Sequence, residues 1–93
     1  MIVYVSIGNS DDKLTQAEWS QFVDEVRGTI NRWAKAVHGA WFSAPQAPWQ
    51  NACWCIEFED ATYAHDVREA LAEVRKKYRQ DSVAWAVAET EFI

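Results

Sequence analysis

The residues of this chain best equipped to hold a ligand fall in three polar stretches: Asn9-Ser10-Asp11-Asp12, Trp49-Gln50-Asn51 and Arg79-Gln80-Asp81. Asn and Gln amides offer paired donors and acceptors. Arg79 offers a planar fork for a carboxylate or phosphate, and Trp49 a flat apolar face for stacking. Asp11 and Asp12 can accept hydrogen bonds from sugar-like hydroxyls. The mixture suits a planar, polar, anionic ligand such as a nucleotide-derived small molecule, or a protein contact. Plain turn chemistry competes with that reading, because Gly, Pro, Asn, Asp and Ser populate turns for local backbone reasons. It does not require Trp49-Gln50-Asn51 between Pro48 and a following strand.

Other chemistries find less support. Asp11-Asp12 lacks the ligand spacing of a calcium loop, and acidic residues near a helix start are favoured by its dipole. Cys53 and Cys55 share one strand face, but His38 belongs to the opposite end of the sheet and no fourth zinc ligand is evident. The expectation is no metal, no cofactor and no catalytic residues. The alternative is a small enzyme using carboxylates, from Glu57 and Glu59 or Glu89 and Glu91, or using His65. Paired carboxylates do acid–base work only when burial separates their pKa values. No phosphate loop, Ser-His-Asp order or metalloprotease signature is present.

The positioning elements follow from periodicity. Ile2 to Ile7 reads as a buried strand. Thr15-Gln16-Ala17-Glu18 is a capping box, with Leu14 and Trp19 placed as a hydrophobic staple. Trp19, Phe22, Val23, Val26, Ile30 and Trp33 then recur at helical spacing. Val37 to Ala44 is a second strand with Gly39 as a bulge, stopped by Pro45 and Pro48. Ala52 to Glu59 alternates cleanly as a third strand. Asp60 or Thr62 caps a second helix with the stripe Val67, Leu71, Val74 and Tyr78. Ser82 to Phe92 reads as the fourth strand. Residues 1–93 form a single domain. The order β-α-β-β-α-β resembles the ferredoxin-like fold: α+β, a split βαβ arrangement with a four-stranded antiparallel sheet and two helices on one face. Its right-handed crossover brings residues 8–14, 45–51 and 79–82 to one end.

The other face of the sheet has no helices over it. If Trp54, Ile56 and Phe58 face the helices, then Cys53, Cys55 and Tyr4 face outward. Glu89 and Glu91 belong in solvent, so alternation along the last strand puts Val83, Trp85 and Val87 on the open face, with small alanines beneath the helices. Tyr4, Cys53, Cys55, Val83 and Trp85 would make an apolar patch, which predicts a homo-oligomer interface.

Composition narrows the partners. Formal net charge is −5, and the one dense basic run, Arg75-Lys76-Lys77 with Arg79, ends a helix where the dipole favours it. Direct nucleic-acid binding is therefore not expected, although an acidic domain can mimic nucleic acid on a basic protein surface. No stretch reads as a signal peptide or a membrane span, and the two cysteines are badly placed to bridge. A cytoplasmic setting is expected. Ile7-Gly8-Asn9-Ser10-Asp11-Asp12-Lys13-Leu14 and Trp49-Gln50-Asn51-Ala52-Cys53-Trp54 resemble stretches of short reading frames from actinobacteria and their phages. That resemblance implies counter-defence. The expected function is a small non-catalytic binding protein that sequesters a nucleotide-derived molecule or blocks a host protein.

Overall fold

The computed structural model describes residues 1–93, with the elements β1 (Ile2–Gly8), α1 (Gln16–Trp33), β2 (Ala36–Phe42), β3 (Asn51–Glu57), α2 (Ala61–Lys77) and β4 (Ala84–Ala88). The four strands form one sheet in the order β2-β3-β1-β4, every neighbour antiparallel. This is the α+β, ferredoxin-like arrangement, with both helices packed on one face.

Each helix is bounded by local chemistry. The Thr15 hydroxyl accepts from the Glu18 N–H at 3.2 Å, and the Glu18 carboxylate accepts from the Thr15 N–H at 3.1 Å. Two orphan donors of the first turn are thereby satisfied. Leu14 and Trp19 are both buried beside this cap. Asp60, rather than Thr62, caps α2, accepting from the Thr62 N–H at 2.8 Å. The end of α2 is a Schellman motif: Arg79 N–H donates to the Lys76 carbonyl and Gln80 N–H to the Arg75 carbonyl. Arg79 sits in the left-handed region with φ 58° to make this turn.

Alternation builds the core. Val3, Val5 and Ile7 of β1 and Ala52, Trp54 and Ile56 of β3 are buried against Phe22, Val26 and Ile30 of α1 and Val67 and Leu71 of α2. Burying one such aliphatic or Phe side chain stabilises by about 1.5–3 kcal/mol. Trp54 is the largest fully buried side chain. Its truncation to alanine should cost about 3–5 kcal/mol, the largest cost of any core change.

Two expectations are corrected. β4 is shorter than expected, and its faces are reversed. Val5 pairs with Trp85, Val3 with Val87 and Tyr4 with Ala86. Directly opposite residues share a face, so Trp85 lies on the helix side and Ala84 and Ala86 lie outside. The Trp85 ring stacks on Phe58 at 5.9 Å, with the Arg68 guanidinium 5.6 Å from its centre. Val83 packs against the same core. Val83 and Trp85 therefore leave the open face. The large ring packs beside α2 at the edge of the core, and Glu89 and Glu91, past the strand's end, do not fix its parity. In β2 the register slips between Val37 and Gly39, so His38 is the extra residue of a bulge.

Candidate functional site

At the loop end the three polar stretches meet. The end of β1 delivers Asn9 against Gln50, whose carbonyl accepts the Asn9 N–H at 2.9 Å. The Asn9 side chain closes its own loop: Oδ1 accepts from Leu14 N–H at 3.1 Å, and Nδ2 donates to the Leu14 carbonyl at 2.9 Å. Gln50 is also buried, accepting from the Ser43 hydroxyl at 3.3 Å and donating to the Pro45 carbonyl at 3.4 Å. Gln80 donates to the Tyr78 carbonyl at 3.0 Å from a buried position. These amides hold the loops in shape.

Lys13 ties two of the loops together. Its ammonium lies 3.4 Å from Asp11, 3.6 Å from Asp81 and 3.3 Å from the Arg79 carbonyl. Arg79 turns the other way, donating from Nη2 to Glu18 at 2.8 Å and to the Lys13 carbonyl at 3.5 Å. Arg79, then the Thr15 backbone, hold the Glu18 carboxyl below its ordinary value.

Between the loops lies an open cleft of about 380 Å³. Gly8, Ser10, Asp11, Asn51, Asp81 and Ser82 line it. That volume falls within the range of small-molecule sites, roughly 300–1,000 Å³, but the wall is far more polar than usual. Gly8 lets the Asn51 amide lie against the strand: a Cβ there would meet Asn51 Oδ1 at 2.9 Å and displace that side chain.

The residues expected to bind thus divide. Ser10, Asp11, Asn51 and Asp81 line the cleft, while Asn9 and Gln50 are structural. Asp12 occupies a left-handed turn position, φ 57°, outside the lining. Trp49 is 56% exposed and also outside it. Arg79 is engaged by Glu18. The stacking face and the anion fork expected of the pocket are therefore absent from it. Lys13 and Ser82 were not foreseen, although a lysine flanked by acids on converging loops is a readable signal. With two carboxylates and one ammonium already paired to both, the cleft favours hydroxyl or amine donors over phosphate.

On the open face, Trp41 is 59% exposed and Tyr4 43%, flanking a shallow hollow of about 260 Å³ floored by Gly39, Cys53 and Cys55. Cys55, as hydrogen-bond partner and neighbouring charge, raises the Tyr4 hydroxyl above its ordinary value. Trp41 joins this surface without having been foreseen, because β2 register was unreadable across the bulge. Glu57 accepts from or pairs with His38 at 2.9 Å and Lys35 at 3.6 Å, which holds its carboxyl low, His38 first. His65 is exposed on α2, 4.0 Å from Glu69, and does not line the cleft. No three His, Cys, Asp or Glu side chains gather as a metal site.

No protein-family model matches the chain, and no curated protein matches its sequence. Among solved structures it is similar to an uncharacterized NIPSNAP domain protein from Burkholderia xenovorans. The two are 14% identical, the match covers 100% of this chain and 98% of the other, and the TM-score is 0.51. At that identity the likeness is one of fold alone. No helix is long and apolar enough to cross a membrane.

Proposed function

We propose that this chain is a non-catalytic binding protein whose loop-end cleft sequesters a small molecule through its hydroxyl groups. The observation that supports the reading is the pair of carboxylates, Asp11 and Asp81, brought from opposite ends of the chain to line one cleft. A carboxylate accepts two hydroxyl hydrogen bonds at once, as acidic residues do with ribose in dinucleotide sites. The Asn51 amide and the Ser10 and Ser82 hydroxyls add donors and acceptors of fixed direction. The ribose end of a nucleotide-derived signal fits this chemistry, with any phosphate held outside the carboxylates. Such a molecule, retained in the cytosol and not turned over, is the counter-defence role.

Protein purified from its expressing cell should release a small molecule intact on denaturation, read by mass spectrometry. Calorimetric titration with adenosine should show binding that 2′-deoxyadenosine and Asp81→Ala both weaken. Absence of released molecule together with no adenosine binding overturns the cleft reading. Recovery of a chemically altered ligand would instead favour an enzyme.

A second reading gives the open face to a partner. Trp41 and Tyr4 expose much of their rings beside Cys53 and Cys55, an apolar patch that a host protein or a second copy would cover. Trp41→Glu should leave folding intact and abolish any such contact, read by light scattering or pull-down against the purified partner.

A further inference from the structure

The two edges of the sheet are unlike. β2, at one edge, is broken by the His38 bulge and bordered by Lys35, His38 and Glu57. Bulges and charges are how natural edges avoid pairing with other chains. β4, at the other edge, has none of these. Its sequence is Ala84-Trp85-Ala86-Val87-Ala88, without charge or proline, and its register with β1 is unbroken from Ser6–Ala84 to Ile2–Ala88. Every second backbone N–H and C=O along it points away from the sheet with no strand to meet.

We infer that the free edge of β4 pairs antiparallel with the same edge of a second copy, about a two-fold axis through Ala86, joining two sheets into one of eight strands. This goes beyond the cleft reading and does not rest on it. The register follows from complementarity. An axis at Ala86 sets Ala84 opposite Ala88, Trp85 opposite Val87 and Val83 opposite Glu89. On the open side only alanines meet, so nothing obstructs approach. On the helix side Val87, 57% exposed, is covered by Trp85 of the second copy. Glu89, the first residue past the end of the strand, arrives beside Val83, the residue just before its start.

Val83 borders a groove of about 160 Å³ lined by Arg68, Leu71, Arg75 and Trp85. Arg68 lies over the Trp85 ring, and Arg75 spends one hydrogen bond on the Gln80 carbonyl at 3.0 Å. A guanidinium carries five donors, so both arginines retain free ones. No carboxylate lies within salt-bridge distance of either. Glu89 of the second copy supplies the missing charge, and symmetry makes the contact twice. The pairing stops there, because the strand itself runs only from Ala84 to Ala88. A five-residue strand edge with two flanking ion pairs is a small interface, so a dimer of about micromolar Kd is expected.

Sedimentation velocity over low to high micromolar concentration tests this. The unaltered chain should show a monomer–dimer equilibrium. Val87→Lys, at an exposed position, should keep the melting curve and weaken the dimer by about tenfold or more. Glu89→Arg should weaken it as well, and adding Arg68→Glu should restore affinity to within a few-fold of the parent. A chain that stays monomeric throughout overturns the inference. So does a dimer indifferent to Val87→Lys but dissolved by Trp41→Glu, which would move the interface to the open face. A double variant no tighter than Glu89→Arg alone overturns the Ala86-centred register. None of these positions lines the cleft, so ligand binding there stands or falls separately.

Discussion

Asn9 and Asn51 lie at the same end of the sheet, Asn9 beyond the end of β1 and Asn51 at the start of β3, yet they do opposite work. Asn9 is buried, and its side-chain donor and acceptor are both consumed by one residue, Leu14. Asn51 is exposed, lines the cleft and makes a single weak side-chain bond, to the Trp49 carbonyl at 3.3 Å. Gln50 sides with Asn9; Ser10, Asp11 and Asp81 side with Asn51; Gln80 stands between, buried and lining the cleft, with its Nε2 donating to the Tyr78 carbonyl. An inner shell of satisfied amides fixes the loops, and a rim of polar groups with capacity to spare faces the cleft. An amide is architecture when its own loop uses both its ends, and is free to recognise a ligand when it does not.

The sharpest way to break this division is Asn9→Ala. It leaves the buried Leu14 N–H and carbonyl without partners, which should cost about 2–4 kcal/mol and lower the melting temperature by about 10 °C or more. A variant that melts like its parent would show that the inner shell is not structural. The rim should behave in the opposite sense. Asp81→Ala should change stability by less than about 0.5 kcal/mol, while weakening a hydroxyl-bearing ligand about ten- to a hundredfold by calorimetry. Equal losses of stability and affinity would erase the distinction.

Smaller effects sharpen it. Thr15→Ala removes the helix cap next to the loop and should cost about 1 kcal/mol in denaturant unfolding. Glu18 belongs to both the cap and the Arg79 contact, and its carboxyl is held low chiefly by Arg79. Stability from such a group is present above its unfolded-state value and is lost as pH falls through the depressed folded one. Arg79→Ala should therefore be slightly less stable than the parent at neutral pH, and the difference should shrink as pH falls below the ordinary glutamate value of about 4.3 and vanish once Glu18 is protonated in the folded chain. A gap that persists in acid would assign Arg79's contribution to the helix terminus instead.

Much of the fold could be read directly. The capping box at Thr15 and Glu18 and the clean alternation from Ala52 to Phe58 are local signals, and each formed as expected. β4 was harder, because Ala84-Trp85-Ala86-Val87-Ala88 is apolar in both parities; only pairing with Val5 shows which side Trp85 takes. Meeting of the three loops follows from topology, but the direction of each side chain within them does not. Arg79 looked free to grip an anion because Glu18, which holds it, is distant in sequence. It also occupies the left-handed position of a Schellman motif, where glycine is usual and gives the position away. Lys13 is legible from Asp11 beside it, whereas its ties to Asp81 and the Arg79 carbonyl, at the far end of the chain, follow only from the fold.

Gly8 carries a consequence for how this chain can diverge. A single methyl group there would collide with Asn51 at 2.9 Å and push that amide out of the cleft wall. Position 8 therefore sets where the side chain of position 51 can lie: a Cβ at 8 displaces the Asn51 amide, and a shorter residue at 51 removes the conflict. Descendants that keep glycine and asparagine together would inherit the same recognition surface, however far the rest of the sequence has moved. Descendants that change both would have the same fold and a differently shaped mouth, which is how a small scaffold acquires a new ligand without first losing its stability.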